Sequence, residues 1–584
     1  MKEKFPDNFK ETILQMIYKG KGGQEILSNN RFIHLKPWLP RVAESLVVGD
    51  GLKEPLITGS SIYQIGGQPF HRPEELVFVL KSIIARYRSQ GKAVIIQCFD
   101  VHSFFDKELI EDAVLVSLKR GADPKAVRLW YKMNEDTKIK VKIGSEMSDT
   151  GEVGAVVGQG TIGGAILSQA VLDDGVMEHF PPGGDLQVQY GSVPMAPMMF
   201  QDDLINITEG LAEARETNTK VNTLMKERGL ELNKKKSVCI IIGNKKQKKE
   251  ATKEMEVKPL LCGDFETKEE QVEKWLGQLL SSAGLADSVD KTVDSRTGKI
   301  KAAGMEIAQI VNDWRSQAVG GMETAILLWE ACCIPSLLHG AGTLVEMSGP
   351  TETKLNSLQQ WFVRLILQVG PGAPRASLLW DFGLLDMGLR IWVVKLMLAL
   401  HVSRLGEETL ARRVCEEQKA NQWPGLVQEA EQICRELSVE SFYTTNLSAK
   451  AYRAQVIKAC HIKNEERLKT RASGGSKCDR IMTESYGKKD YVSSSQIQHV
   501  REFYKTRFAM NHFAGNFSRD RRFARTEWLC HCGKAREEES HLIYGDCEVY
   551  GEIRDKFDNL NDDENLVKFF NQVLAKRDML DGKE

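Results

Sequence analysis

The segment Met198-Met199-Phe200-Gln201-Asp202-Asp203-Leu204-Ile205 places two adjacent carboxylates between two short apolar runs. This pattern predicts two strands that fold back on each other, with the acids at the turn. Like charges side by side repel unless a cation binds between them. A pair of divalent metal ions meets this need when a third carboxylate comes from elsewhere in the fold. The alternative is a solvated pair, as we expect at Asp173-Asp174 and Asp562-Asp563, which lack apolar flanks on both sides.

A candidate for the third carboxylate ends an apolar run upstream. Ala93-Val94-Ile95-Ile96-Gln97-Cys98-Phe99-Asp100 has the length and the Val and Ile content of a buried strand. An Asp at the end of such a strand is held rigidly and can face an adjacent hairpin. Asp100, Asp202 and Asp203 would together form the arrangement that two-metal phosphoryl or nucleotidyl transfer requires.

Length and composition are typical of a large folded protein. With 584 residues, the chain should hold several domains or one large core with appendages. It has no run of about twenty apolar residues and no signal-peptide pattern at its N-terminus, so we expect no membrane span. Most of the 12 cysteines stand singly among apolar neighbours, which favours an intracellular location, in the nucleus, the cytoplasm or both. The net charge of −1 argues weakly against nucleic-acid binding.

The apolar pattern changes at about residue 280. Up to that point helices and strands are mixed, as in an α+β domain, and one helix is predicted over 106–119. Six glycines within 151–164 predict a loop that allows close backbone approach. Beyond about residue 291 the pattern is mainly helical, and a helix over 323–334 is expected to stop near Pro335. The polar segment 463–489 is predicted to be a linker.

Several motifs resemble those of reverse transcriptases from non-LTR retrotransposons, and they occur in the same order. Their order within one domain-sized span makes the resemblance specific. It is close from about residue 30 to 280 and looser beyond. The segments are Asn30-Arg31-Phe32-Ile33-His34-Leu35 and Gln64-Ile65-Gly66-Gly67-Gln68-Pro69-Phe70-His71-Arg72, similar to finger motifs, and then Phe99–Asp106, Val157–Gly164, Phe200–Asp203, Gly229–Ser237 and Trp275–Gly277, similar to the palm and primer-grip motifs.

The resemblance implies an α+β right-hand polymerase. Fingers and palm would occupy residues 1–280, a helical thumb 281–420, a helical and partly basic linker region 421–525, and a small zinc-binding segment 526–584. The implied activity is that of an RNA-directed DNA polymerase, a nucleotidyltransferase that uses two Mg²⁺ ions. Its implied partners are an RNA template, a DNA primer or target DNA, and deoxynucleoside triphosphates. The upstream endonuclease region of many relatives is expected to be absent.

The resemblance also implies roles for residues at the reacting centre. Asp100, Asp202 and Asp203 would hold the two Mg²⁺ ions, which activate the primer 3′-hydroxyl and stabilise the leaving pyrophosphate. Phe105 would lie under the incoming sugar and exclude a 2′-hydroxyl. A core aromatic residue is the other interpretation of Phe105.

Further residues are implied to contact nucleotide or template. Gln159 would contact the templating base pair, and Gly158 and Gly160 would let the backbone approach closely. Lys236 would protonate the leaving group, but a solvated basic run over 234–236 explains the pattern almost equally well. The remaining candidates are basic side chains that would contact triphosphate or template: Arg31, Lys36 and Arg72.

Two residues beside the predicted reacting centre depart from the family pattern. Gln201 stands where the non-LTR class usually has a small residue, and Phe104 stands where Ala is more common. Both departures bear on nucleotide selectivity and fidelity. They do not bear on metal binding.

Ligand-type residues lie close together near the C-terminus. Cys530 and Cys532 are followed after eight residues by His541 and after five more by Cys547. This spacing predicts a Cys₃His site for Zn²⁺, although the gap between the first two cysteines is shorter than usual. His531 is an alternative ligand. The cluster is similar to the zinc knuckle that follows the thumb in many non-LTR polymerases.

A basic and aromatic segment precedes these cysteines. Residues 501–525 carry seven Lys or Arg and two acids, a net of seven minus two, or plus five, with aromatic residues interleaved. Cations for phosphates and aromatics for bases suit single-stranded or structured RNA. A basic amphipathic helix that docks on the thumb is an equally good interpretation. The basic residues are Arg501, Lys505, Arg507, Arg519, Arg521, Arg522 and Arg525.

Two rival functions would use parts of the same pattern. A truncated or domesticated copy would bind RNA without catalysing polymerisation. A two-metal nuclease or phosphohydrolase would need similar carboxylates. It gives no reason for the glycine loop, for Phe105 or for Trp275-Leu276-Gly277. The polymerase therefore explains more of the sequence.

Overall fold

The chain forms two compact units in the computed structural model. The structure describes the chain except residues 1–8, 21, 103, 154–156, 313–320, 371, 474–478, 495, 509–528, 546, 561 and 583–584. Unit 1 comprises residues 1–289, 343–346 and 398–431. Unit 2 comprises residues 290–342, 347–397 and 432–584. The domain boundaries at 280, 420 and 525 stay a prediction.

The strands of the described residues all lie in unit 1. They are β1 (Glu11–Tyr18), β2 (Asn30–Leu35), β3 (Val94–Asp100), β4 (Thr137–Ile143), β5 (Glu146–Met147), β6 (Gly151–Val153), β7 (Gln189–Tyr190), β8 (Val193–Pro194), β9 (Met198–Phe200), β10 (Asp203–Thr208), β11 (Val238–Ile242), β12 (Leu261–Cys262), β13 (Phe265–Glu266), β14 (Lys268–Glu269), β15 (Val272–Trp275) and β16 (Gln278–Ser281).

A five-stranded central sheet organises unit 1, in the order β14-β11-β3-β10-β9. Its inner strands β3 and β11 are rich in Val and Ile, and they are buried along nearly their whole length. β10 pairs antiparallel with both β3 and β9, which confirms the predicted hairpin. The register sets Asp203 opposite Asp100 at one edge of this sheet.

A second sheet has the order β2-β1-β4-β5, with β6 paired to β4. The first residues of the predicted glycine loop therefore form a strand, because the 151–153 backbone pairs antiparallel with 137–139. Residues 157–163 are without regular structure, as predicted, and 154–156 lie outside the described residues.

Helices surround the sheets of unit 1 and then dominate the rest of the chain. Up to residue 257 they are α1 (Trp38–Gly51), α2 (Lys53–Thr58), α3 (Pro73–Ser89), α4 (Phe104–Lys107), α5 (Ile110–Lys119), α6 (Pro124–Asn134), α7 (Gly164–His179), α8 (Leu211–Glu227) and α9 (Lys245–Val257). From residue 285 they are α10 (Leu285–Asn312), α11 (Met322–Leu328), α12 (Ile334–Leu338), α13 (Gly349–Leu367), α14 (Ser377–Trp380), α15 (Met387–Ser403), α16 (Leu410–Ala420), α17 (Leu426–Leu437), α18 (Ala449–Ala472), α19 (Asp479–Thr483), α20 (Ile497–Arg507), α21 (Glu539–Tyr544), α22 (Gly551–Arg554) and α23 (Asp563–Leu580).

The mixed α/β part and the helical part confirm the predicted change of pattern. In unit 1, α8 and α9 pack on the central sheet, where Leu211, Ala214 and Met255 share one buried apolar cluster with Ile95 and Ile241. In unit 2, the rings of Trp329 and Phe362 stack with centroids 4.2 Å apart. Among helices of the described residues, none combines the length and apolarity needed to cross a bilayer.

The helix predicted over 106–119 is interrupted. α4 ends at Lys107 and α5 begins at Ile110, because Leu109 adopts an extended backbone conformation with ψ 136°. The carbonyl of Glu108 accepts a hydrogen bond from the Val157 N–H and so leaves the helical ladder. The long-range partner at Val157 overrides the local helical preference.

The helix predicted to stop near Pro335 instead continues past it. A π-helical turn over Trp329–Cys333 joins α11 to α12, and Pro335 lies in the first turn of α12. Pro335 therefore follows a π-helical turn within a continuous helical run, where the ordinary i→i−4 ladder is already interrupted.

Part of the predicted linker is a buried helix. α18 runs to Ala472, and Cys460, Asn464, Leu468 and Ala472 form a buried stripe at four-residue spacing. The Asn464 amide donates to the Leu384 carbonyl oxygen and to the Tyr486 hydroxyl. The polar composition of 463–472 therefore reflects one exposed face of a packed helix.

Asp173 is also not the solvated residue that its sequence context suggested. Its carboxylate is 1% exposed and accepts hydrogen bonds from the Ser61 N–H at 2.8 Å and from Arg120 Nη2 at 2.7 Å. It is a buried structural acid, because partners from two distant segments satisfy it.

Candidate active site

The three predicted metal-binding aspartates come together at one edge of the central sheet. Asp100 ends β3, Asp203 begins β10 directly opposite it, and Asp202 lies in the turn between β9 and β10. Directly opposed residues of an antiparallel pair have Cβ atoms about 5 Å apart. The sheet register therefore delivers two of the carboxylates, and the turn delivers the third.

These carboxylates raise each other's proton affinity. Burial, and after it the charges of Asp202 and Asp100, raise the pKa of Asp203 to about 6. Burial and the charge of Asp100 also raise the pKa of Asp202, while Lys236 and Arg31 act in the opposite direction. A cation among the three side chains would relieve this repulsion.

The donor set fits hard divalent cations. Carboxylate oxygens are the ligands that Mg²⁺ prefers, and it binds few of them because it keeps several waters. The carboxylate oxygens of the three aspartates do not all come within 4.8 Å of one another in the described part of the chain. That spread is compatible with two ions, because in a two-metal site each carboxylate need not reach both.

Lys236 lies directly against the candidate site. Its Nζ donates to both carboxylate oxygens of Asp100 at 3.1 Å, and its side chain stays 65% exposed. The neighbouring Lys234 instead pairs with Asp264. The structure thus separates Lys236 from the rest of the basic run.

Arg31 is close enough to the turn for its charge to lower the pKa of Asp202. It is exposed on β2. Arg72 is also exposed, but it precedes α3, where its N–H donates to the carboxylate of Glu75. Of these two arginines, Arg31 is the one whose charge acts on an aspartate of the candidate site.

Lys36 belongs to the interior instead. Its ammonium group is 3% exposed, and it donates to Glu44 at 3.2 Å and to the Asn134 side-chain oxygen at 2.5 Å. Burial lowers the pKa of Lys36, while Glu44 acts in the opposite direction. Lys36 therefore holds α1 and α6 together and is not accessible to a triphosphate.

The Gly-Gln-Gly loop docks on β2. The His34 N–H donates to the Gln159 carbonyl oxygen at 2.7 Å. Gly158 and Gly160 have φ of +52° and +101°, and a Cβ on either would lie within 3.0 Å of His34 or Ile33. The close approach that these glycines permit is thus to the protein's own strand, and the Gln159 side chain stays partly exposed.

Two phenylalanines follow Asp100 and differ in burial. Phe104 is 3% exposed, so the residue that departs from the family pattern belongs to the core. Phe105 is only partly buried and meets the Phe104 ring edge-on, with centroids 5.4 Å apart. Its partial exposure is compatible with contact to a ligand.

A second strained hairpin contains the predicted Trp-Leu-Gly motif. Trp275 pairs with Gln278, and the turn residues Leu276 and Gly277 have φ of +45° and +79°. The same hairpin carries Glu273, which was not predicted from the sequence. Burial raises the pKa of Glu273, and the charge of Asp100 adds to this effect. A single Glu in a short strand gives no sequence signal of that proximity.

Gln64 is another site residue that the sequence did not single out. Its side chain is 1% exposed and bonds both backbone groups of Gln201, the residue before Asp202. The available signal was the Gln64-Ile65-Gly66-Gly67 segment itself, which resembles a finger motif without indicating this contact.

The C-terminal cluster in unit 2 assembles as predicted. The ligand atoms of Cys530, Cys532, His541 and Cys547 all lie within 4.8 Å of one another. Thiolates and imidazole are the ligands that structural Zn²⁺ sites use. His531, the alternative ligand, points elsewhere, with Nε2 3.0 Å from a carboxylate oxygen of Asp581.

The described part of the basic segment is structural. Arg501 donates to the Ile366 carbonyl oxygen at 2.8 Å. The Arg507 guanidinium, 6% exposed, donates to Asp381 and Asp563 at 2.7 Å. These contacts favour the docked-helix interpretation for 501–508. Arg519, Arg521, Arg522 and Arg525 lie outside the described residues.

No protein-family model matches the chain, and no curated protein matches it. Among solved structures, apo telomerase from Candida tropicalis is 9% identical over 78% of this chain and 70% of that chain, with a TM-score of 0.35. Its form truncated from the C-terminal domain is 11% identical over 47% of this chain and 54% of that chain, with a TM-score of 0.31. Telomerase from Candida albicans with a telomeric RNA fragment is 9% identical over 70% and 67%, with a TM-score of 0.31. Identities and TM-scores this low do not establish a family.

Proposed function

We propose that the chain is an RNA-directed DNA polymerase of the non-LTR retrotransposon class. The observation that carries the proposal is the register that sets Asp203 opposite Asp100, with Asp202 in the adjoining turn. In this proposal the central sheet is the palm, the second sheet belongs to the fingers, and the helices from α10 onward include the thumb. The substrates are deoxynucleoside triphosphates, and the partners are an RNA template and a DNA primer or target.

The three aspartates would hold two Mg²⁺ ions. Bound Mg²⁺ would supply the Lewis acidity that activates the primer 3′-hydroxyl and neutralises charge on the triphosphate. Asp202 and Asp203 have pKa values raised by burial and mutual repulsion, so they gain most from a cation. Hard oxygen ligands on a rigid strand and its turn also keep the site geometry fixed.

Two cationic side chains would act on the triphosphate. The Lys236 ammonium group carries a proton beside Asp100, where it can pass to the leaving pyrophosphate. Arg31 approaches from β2, and its charge already stabilises ionised Asp202. A guanidinium in this position suits the planar contacts that phosphate oxygens accept.

Phe105 and the Gly-Gln-Gly loop would select the nucleotide. The partly exposed Phe105 ring is backed by the buried Phe104 ring, so it can act as a rigid wall against a 2′-hydroxyl. Gln159 is held by its carbonyl on β2 while its side chain remains available to the template. The Cys₃His cluster would bind one Zn²⁺, with a structural role in unit 2.

Primer extension on an RNA template with Mg²⁺ tests the proposal. The wild type should extend a DNA primer with deoxynucleotides, and the double variant Asp202→Asn/Asp203→Asn should not. The control is Asp50→Asn, which changes an exposed acid on α1 and should extend like the wild type.

RNA binding measured on the same preparations separates the polymerase from its rivals. A wild type that binds RNA but extends no primer with any divalent ion would support the inactive RNA-binding protein. Degradation of the RNA or DNA without extension, lost in the double variant, would support the two-metal nuclease.

A further inference from the structure

The turn that carries Asp202 has a backbone conformation that favours glycine. Phe200 and Asp203 are paired, so Gln201 and Asp202 form a two-residue turn between β9 and β10. Gln201 has φ of +57°, in the left-handed region. Residues other than Gly persist there only when their surroundings hold them.

One buried side chain holds this residue at both backbone groups. The Gln64 amide nitrogen donates to the Gln201 carbonyl oxygen at 3.1 Å, and the Gln64 side-chain oxygen accepts from the Gln201 N–H at 3.1 Å. The same oxygen accepts from the Gly66 N–H at 3.0 Å. Because Gln64 is 1% exposed, water does not compete for these bonds.

The backbone around Gln64 is fitted to the same hairpin. The Met199 N–H donates to the Tyr63 carbonyl oxygen at 2.8 Å, and the Ile65 N–H donates to the Met199 carbonyl oxygen at 3.3 Å. A Cβ on Gly66 would lie 2.3 Å from the Gln201 nitrogen, so only glycine fits there. The backbone of segment 63–66 thus hydrogen-bonds to β9, and the Gln64 side chain hydrogen-bonds to the turn.

We infer that Gln64 is a positioning residue that fixes the Gln201 backbone and thereby the direction of the Asp202 carboxylate. The inference rests on the proposed function, because its consequence is the alignment of a metal ligand. Without the amide, Gln201 can rotate toward a less strained conformation, and Asp202 rotates with it. Displacement of about 1 Å at a reacting centre lowers rates by about a hundredfold.

The first test compares Gln64→Met with a matched control. Gln64→Met keeps much of the side-chain volume and removes the three bonds. We expect kcat for primer extension to fall about 10- to 100-fold, with a smaller change in the KM for deoxynucleotide. Mn²⁺ affinity, measured by electron paramagnetic resonance without nucleic acid, should fall about 10-fold. Gln418→Met should change neither value, because Gln418 is equally buried but bonds Ser82 and Tyr190.

Two further variants distinguish positioning from general destabilisation. Adding Gln201→Gly to Gln64→Met should recover a large part of the lost kcat and Mn²⁺ affinity, because glycine adopts this φ without strain. Gln64→Glu should be more active at low pH than at high pH, relative to the wild type. A protonated carboxyl can donate to the Gln201 carbonyl oxygen, whereas the ionised carboxylate would repel it.

The outcomes separate the inference from the proposed function. If the wild type extends primers and Gln64→Met matches it in kcat and Mn²⁺ affinity, the inference is wrong and the polymerase stands. If the wild type extends nothing, the polymerase fails, and the Mn²⁺ comparison alone decides the role of Gln64. If Gln64→Met does not fold, the pH profile of Gln64→Glu decides: a profile parallel to that of the wild type overturns the inference.

Discussion

The two candidate metal sites of this chain are built in opposite ways. The aspartate site draws on residues a hundred positions apart in sequence, and the sheet register brings them together. The Cys₃His cluster draws on one short segment, and its ligand atoms converge within 4.8 Å. The aspartates repel each other, which is seen in the raised pKa of Asp203.

Under the proposed function, this difference separates a site for reaction from a site for stability. Carboxylates that repel each other bind cations favourably, and the bound ions keep coordination positions open to substrate. A closed set of soft ligands satisfies one ion completely and contributes to folding. Loss of each site should therefore have a different consequence.

The largest expected effect is on activity, from Asp203→Asn. Loss of several kcal/mol of charge stabilisation should lower primer extension by on the order of 10³-fold or more. Without metal, the same variant should melt at an equal or higher temperature than the wild type, because it removes a buried repelling charge. Extension assays and melting curves in chelator measure both. A variant that loses activity and stability together would place Asp203 among structural acids.

Removal of zinc should have the converse effect. We expect Cys547→Ser to lower the melting temperature of the full chain by about 5–10 °C, since structural Zn²⁺ binding contributes directly to folding. Extension on a short template should fall much less than in Asp203→Asn. The control is Cys332→Ser, because Cys332 is an exposed cysteine outside the cluster. Zinc content, measured by atomic absorption, should drop in Cys547→Ser alone; equal zinc in all three proteins would contradict the site.

The two sites should also respond to pH with opposite signs. The pKa of Asp203 is raised from 3.8 to about 6, so between these values the folded state holds a proton that the unfolded state has lost. Stability of the metal-free protein should therefore fall by about 2–3 kcal/mol as pH rises through this window. The zinc cluster should bind more tightly over the same rise, because its thiols must deprotonate.

Urea titrations at pH 4 and pH 7, with and without Mg²⁺, measure the aspartate effect. The difference in unfolding free energy between the wild type and Asp203→Asn isolates the contribution of Asp203 from that of the other carboxyl groups. Mg²⁺ should reduce this difference at pH 7. If the two proteins show the same pH dependence in chelator, the repulsion at Asp203 is absent.

The residues of both candidate metal sites could be grouped from sequence because each group has a local signature. The aspartate pair had apolar flanks, Asp100 ended an apolar run, and the cysteines had ligand spacing. The strand content around the aspartates followed from the same runs, so the hairpin and the inner strand β3 were also predictable.

What sequence could not supply is the partner that satisfies a buried polar group. From sequence, Lys36 was a candidate triphosphate contact, but in the fold its ammonium group is buried against Glu44 and Asn134. From sequence, Asp173 was expected to be a solvated acid, but in the fold it is paired with Arg120. The break at Glu108 depends in the same way on the Val157 N–H. Each partner is distant in sequence, so a local sequence pattern cannot predict the contact.

The smallest expected effect comes from Arg31, which should influence the aspartate site alone. Arg31→Gln removes a charge that lowers the pKa of Asp202, but it removes no metal ligand. We expect the KM for deoxynucleotide to rise about 3- to 10-fold, as for loss of one charge-assisted phosphate contact, with zinc content unchanged. Arg41→Gln is the control, since Arg41 is an exposed arginine on α1 that is not among the predicted contacts to nucleotide or template. Equal KM values for the two variants would remove Arg31 from the proposed nucleotide site.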